Sequence, residues 1–197
     1  MISGWAFLPL GLVAAVIAVG VGVYRGSPAS LVFVQLVAIA HVAAVAGLTL
    51  SPIPVDPTQI AHLRATGLAD DPGYVNLRPF ATIGPSVREL LRYGLIGSPA
   101  RNLLANLALL MPLAWYGPRL WPRLRQPGWF AVAAVLASTS IELAQRLLTV
   151  RLGYPHSTDV DDVIVNAGGA ITAFIALWLA GRLIAGSRRA GPDEANE

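Results

Sequence analysis

Five stretches of this chain carry no charged side chain: residues 1–24, 26–55, 102–118, 126–141 and 163–181. A helix rises 1.5 Å per residue, so about 20 mostly apolar residues cross a hydrocarbon layer roughly 30 Å thick. The blocks have the length that lipid demands, and composition agrees: 55% of the 197 residues are hydrophobic, 13% are charged, and mean hydropathy is +0.60. A soluble domain of this size would need about twice that share of charge to cover its surface. A soluble globular enzyme is thereby excluded. The expected fold class is all-α: an integral membrane helical bundle of about five transmembrane helices, near 4–24, 31–50, 102–118, 128–149 and 161–184, with a short interfacial helix.

The connections divide the chain further. RGSPAS between the first two blocks is short enough to force an antiparallel hairpin, and SPIPVDP stops the second, because proline cannot donate to the helix ladder and disfavours helix before it. The expected organisation is an N-terminal transmembrane hairpin over 1–55, an extracytoplasmic loop with the interfacial helix over 56–101, a three-helix core over 102–186, and a disordered tail over 187–197. Within the loop, SVRELLRYG places Ser86 and Glu89 at capping-box spacing, with Val87, Leu90 and Leu91 on one side and Arg88 and Arg92 on the other. The first block lacks the basic n-region and small-residue cleavage site of a signal peptide and reads as a retained helix.

All 14 basic residues are Arg, and the formal net charge is +3. They are scattered between apolar blocks and form no basic stripe, so no nucleic acid is expected as a partner. Arg25, Arg119, Arg123, Arg125, Arg182, Arg188 and Arg189 fall in the short segments on one side, against Arg146 and Arg151 in the short one opposite. The positive-inside rule then gives an extracytoplasmic N-terminus and a cytoplasmic C-terminus in a multi-pass membrane protein. With no cysteine there is no disulfide framework and no thiolate chemistry.

Polar side chains interrupt the apolar blocks unevenly. Ser138, Glu142, Gln145 and Thr149 share one helical face, Asp159, Asp162, Asn166 and Gly169 share another, and Asn102 and Asn106 lie one turn apart. All three sets fall in the same half of the bundle, with YVNLRPF on the same side. Ser, Asn and Gln between membrane helices often serve as packing glue, and Asn102, Gln145 and Ser138 read that way individually. Glu142 and Asp162 differ, because an ionised carboxylate in hydrocarbon costs about 2.5–3.5 kcal/mol and calls for a partner or a use. Arg146 is placed to pair with Glu142, and Arg78, Arg151 and His156 to answer the aspartates. His41 reads as a neutral, hydrogen-bonded packing residue. Ser157 or Thr158 would cap a helix whose first turn carries Asp159, Asp161 and Asp162 against its positive end.

N-L-R-P-F at 76–80, N-L-A-L-L-M-P-L-A at 106–114, S-I-E-L-A-Q at 140–145 and D-V-D-D-V-I-V-N-A-G-G at 159–169 occur in the order of VanZ-like proteins. The chain resembles that family over roughly 74–175. Its members are small bacterial membrane proteins whose namesake accompanies glycopeptide resistance and lowers teicoplanin sensitivity. The resemblance points to Asn76, Pro79, Phe80, Asn106, Pro112, Ser140, Glu142, Gln145, Asp159, Asp162, Asn166 and Gly169. The family usually has Gly-Arg before the Asp-rich run, where this chain has Pro155-His156; either His156 or Arg151 would stand in for that arginine.

The leading expectation is a polar outer-leaflet pocket built from Asn76, Arg78, Asn106, Ser140, Glu142, Gln145, Arg151, His156, Asp159, Asp162 and Asn166. It would bind a membrane lipid or cell-envelope precursor, with no cofactor and no nucleophile–base pair. The alternative is a membrane enzyme of polyprenyl or lipid-phosphate chemistry with Mg²⁺ on Asp159, Asp161 and Asp162. A non-catalytic membrane scaffold is the third.

Overall fold

The computed structural model describes residues 3–67, 75–94, 97–153 and 156–189, with side chains to residue 185. It is all-α apart from one two-residue strand pair. A 3₁₀ turn at Gly4–Ala6 leads into α1 (Phe7–Tyr24), and α2 (Ala29–Leu50) follows. Next come α3 (Pro57–Ala65), β1 (Val75–Asn76), α4 (Ile83–Tyr93), α5 (Ser98–Leu109) and α6 (Leu113–Leu120). Then α7 (Pro127–Leu152), β2 (Thr158–Asp159) and α8 (Val160–Arg189) complete the described chain. Among the described residues, four helices are long and apolar enough to cross a membrane: the first from Gly4 to Tyr24, α2, α7, and α8 as far as Ala185. Exposed Trp5 and Tyr24 sit at the two ends of the first, where amphipathic rings favour the membrane interface.

The third expected span is not one helix. α5 ends at Leu109, a turn covers Leu110–Pro112, and α6 restarts at Leu113. Pro112 has no N–H to give the Ala108 carbonyl, and the Met111 N–H takes that place at 3.2 Å. The Leu109 carbonyl is met from α2: His41 Nε2 lies 2.8 Å from it, and His41 Nδ1 lies 3.0 Å from the Tyr116 hydroxyl. A carbonyl can only accept, so Nε2 donates to it, while the Tyr116 hydroxyl can either donate to Nδ1 or accept from it. The imidazole is thus hydrogen-bonded at both nitrogens and ties α2 to the α5–α6 break.

The loop contains a helix with a legible signal. Asp56 precedes Pro57 at the first helical position, and its carboxylate accepts from the Thr58 N–H at 2.9 Å and the Thr58 hydroxyl at 2.7 Å. These bonds hold the Asp56 carboxyl below its ordinary range. α4 begins a turn earlier than the capping-box reading required. Ser86 lies inside the helix, its hydroxyl donating to the Thr82 carbonyl at 2.8 Å. At the C-terminal end, α8 continues through 187–189, and residues 190–197 of the expected tail lie outside the described residues.

The apolar core lies where α2, α6, α7 and α8 meet, around Val34, Leu113, Tyr116, Phe130, Ala167 and Phe174. Phe130 near the start of α7 stacks on Phe174 far along α8 at 4.4 Å, so the two helices run antiparallel. Across α8 from α7 lies α5, which approaches so closely that a methyl group on Gly169 would overlap the Leu107 backbone carbonyl. Small residues admit such backbone approach between membrane helices.

Candidate functional site

The short link between α7 and α8 organises one end of the bundle. Its last residues, Thr158 and Asp159, pair in parallel with Val75 and Asn76, which lays the loop segment 75–83 against the start of α8. Asp159 is the residue that caps α8. Its Oδ1 accepts from the Asp161 N–H at 2.8 Å, so the cap falls to Asp159 and not to Ser157 or Thr158. The same oxygen accepts from Asn76 Nδ2 at 2.9 Å, and Asn76 Oδ1 in turn accepts from the Arg78 N–H at 3.1 Å.

Asp161 does more than face its own helix dipole. Its side chain is 1% exposed and turned onto the start of α4. Oδ1 accepts from the Phe80 N–H at 2.5 Å, while Oδ2 accepts from the Thr82 N–H, the Thr82 hydroxyl and the Ile83 N–H at 2.7, 2.8 and 3.1 Å. Helix α4 has no cap of its own and takes one from 79 residues downstream. The same contact holds Phe80 at φ 67, a backbone region that costs a bulky residue about 1–3 kcal/mol.

Glu142, 5% exposed on α7, receives the Asp159 N–H on Oε2 at 3.1 Å. On α5, Asn106 Nδ2 donates to Asp162 Oδ1 at 2.5 Å. Asn76, Asp159 and Glu142 are therefore joined by hydrogen bonds across the loop, α8 and α7, and Asn106 with Asp162 forms a second pair between α5 and the first turn of α8. One turn deeper, Ser138 and Asn166 are buried, and Ser138 Oγ and Asn166 Oδ1 have no hydrogen-bond partner among the described residues. Buried polar groups are rarely left that way.

Other expected members stand apart. Ser140 is exposed and bonds back to the Leu136 carbonyl at 2.7 Å, on a different face from Glu142. The reason is helical: two residues separate side chains by about 200°, so Ser140 and Glu142 never share a face. Gln145 donates to the Thr49 carbonyl at 2.9 Å and closes the end of α2. Asn102 is exposed.

Arg146 does not pair with Glu142; its Nη1 is buried without a hydrogen-bond partner among the described residues, and Glu142 Oε2 takes the Asp159 N–H instead. The exposed Arg78 and Arg151 do not answer the aspartates either. Arg78 contributes its backbone N–H to Asn76, and the Arg151 carbonyl accepts from the Arg64 guanidinium. The aspartates are met instead by backbone N–H groups, amides and a hydroxyl.

His156 is half-buried, and its carbonyl accepts from the fully buried Thr149 hydroxyl at 3.1 Å. Burial holds the imidazole pKa below its ordinary value, which opposes a cationic replacement for the family arginine. Pro155, the other half of that departure, lies outside the described residues.

Asp159, Asp161 and Asp162 do not converge. Each serves a different partner, and among the described residues no group of three or more acidic or imidazole side chains is placed to hold a metal ion. A sizeable cavity lies elsewhere: an apolar groove of about 900 Å³ between α1, α2 and α6.

The distant role of Asp161 had no signal in the sequence beyond the aspartate run itself. Thr82 could have been suspected as the residue preceding the amphipathic stretch.

Comparison with curated proteins and with solved structures returns no match. The VanZ/LLP1 family model, however, matches residues 33–181. That span is wider than the four motifs, taking in most of α2 and its His41 contact with the α5–α6 break. By a match covering most of its length, this chain belongs to the VanZ-like family of membrane proteins.

Proposed function

We propose that the linked polar side chains at the start of α8 recognise the headgroup of a lipid or cell-envelope precursor from the outer leaflet, and so affect glycopeptide (teicoplanin) susceptibility. The observation that carries this reading is the pair of buried, unpartnered atoms, Ser138 Oγ and Asn166 Oδ1, one turn inside Glu142 and Asp162. An unsatisfied buried polar group costs about 1–3 kcal/mol, so two at one depth favour a polar occupant. A hydroxylated headgroup offers donors to Asn166 Oδ1 and either role to Ser138 Oγ. The arginine distribution supports an extracytoplasmic N-terminus, which puts this end of the bundle outside.

Native mass spectrometry of the gently purified chain tests the reading. A co-purifying lipid or precursor is expected, retained in Glu142→Gln at reduced occupancy and lost in Glu142→Ala. Full occupancy in both variants would reject the site. Metal-dependent turnover of a polyprenyl phosphate would replace the reading with the enzymatic one. A reporter active only in the cytoplasm, fused after Glu197, should give signal; silence there would move the cluster to the inner leaflet.

A further inference from the structure

The opposite end of the molecule carries a second feature. The 900 Å³ groove between α1 and α2 is lined by small side chains, Gly11, Ala14 and Ala18 on α1 and Ala43 and Ala46 on α2, which leave space where larger residues would close it. Its volume lies within the usual range of ligand sites, about 300–1,000 Å³. The groove runs along two membrane-length helices and ends in polar groups: Arg25, Ser27 and Gln35 line it, with Trp121 beside them.

Among the described residues, charge at this end is of one sign. No acidic residue occurs in 1–55, 90–141 or 163–189, while Arg25, Arg119, Arg123, Arg125 and Arg182 all fall within these segments near the ends of α1, α6 and α8. Arg25 is exposed at the end of α1, where Gly26 at φ 63 turns the chain towards α2. Arg119 is held by the Trp115 carbonyl and ring, and Arg182 stacks on Trp178 at 4.1 Å. Arg25 therefore lines the groove mouth with no carboxylate on the neighbouring described segments to neutralise it.

We propose that this groove binds an anionic phospholipid, with an acyl chain along Ala14 and Ala18 and the phosphate against Arg25. Basic pockets between membrane helices recognise anionic headgroups, and Arg suits phosphate because its planar fork donates two parallel hydrogen bonds. A zwitterionic lipid would fill the same groove without the net charge that Arg25 selects.

The test uses the full chain, incubated with equal amounts of phosphatidylglycerol and phosphatidylethanolamine of matched acyl chains and read by native mass spectrometry. Phosphatidylglycerol should be enriched about fivefold, the effect of roughly one arginine at a membrane surface. Arg25→Gln should bring the ratio to about one and Arg25→Lys should keep most of the preference. Ala14→Phe, at an exposed position, should reduce binding of both lipids by filling the groove. Arg92→Gln, at the other end of the bundle, should leave the ratio unchanged.

The following outcomes would overturn the proposal. They are equal binding of the two lipids by the unmodified chain, a preference that survives Arg25→Gln, and a dimer mass abolished by Ala14→Phe, which would make a second copy the occupant. Displacement by inorganic phosphate at lipid-retaining detergent levels would likewise show a free-anion site. Glu142→Ala leaves this groove untouched, so its lipid should persist when the polar cluster is disabled.

Discussion

Asp161→Ala removes the acceptor for three backbone N–H groups and one hydroxyl, contributed by Phe80, Thr82 and Ile83. Losing a helix cap costs about 0.5–2 kcal/mol, and each buried donor left unpaired about 1–3 kcal/mol. The four bonds share one carboxylate, and relaxation of the loop lets water reach some donors, so the sum overstates the loss. We expect about 3–5 kcal/mol, comparable to breaking a buried charged pair. For a chain of this size that is on the order of 10 °C in Tm, measured by thermal unfolding in detergent.

Asp161→Asn refines the test. Its carbonyl oxygen can take the Oδ2 position and keep the Thr82 and Ile83 contacts, but its NH₂ then meets the Phe80 N–H, donor against donor. Its loss should fall between wild type and Ala, about 2 kcal/mol. Limited proteolysis adds the local readout: cleavage within 76–83 should accelerate in Ala before the membrane helices unfold. An Asp161→Ala protein with wild-type Tm and an uncut loop would refute the assignment of Asp161 as the cap of α4.

Gly169→Ala should destabilise the chain by more than the 1–3 kcal/mol typical of overpacking, because the added methyl meets the Leu107 carbonyl, part of a helix that cannot move aside like a side chain; the equivalent change at Gly168, where nothing lies within 4 Å, should be near neutral in the same melt. The depressed pKa of His156 makes its neutral form the folded one. Its contribution should be fully present above the ordinary histidine value of 6.5 and lost as pH falls towards the lower folded value, so Tm should drop on acidification through this window, and less so in His156→Gln.

The membrane-length helices were legible because lipid imposes a single condition on them, a charge-free run of sufficient length. Residues 4–24 and 31–50 meet it from end to end. The third block met the same condition and still broke, since Pro112 acts locally on the backbone while His41 supplies the compensating donor from 68 residues away. The candidate site shows the same division. The faces carrying Glu142 and Asp162 follow from helical period, but Asp159 against Asn76 and Asp161 against Thr82 join residues 83 and 79 apart, and no local pattern encodes such pairings. Helix α3 was readable in principle, from Asp56-Pro57.

The break between α5 and α6 also sets an order of assembly. His41 lies near the middle of α2 and enters the bilayer with the first hairpin, before the Leu109 carbonyl and the Tyr116 hydroxyl it will bind have been synthesised. The hairpin therefore carries an unanswered imidazole into lipid, and the α5–α6 segment carries an unanswered carbonyl. Each half leaves a polar group that only the other can meet, so the hairpin and the discontinuous segment complete one another.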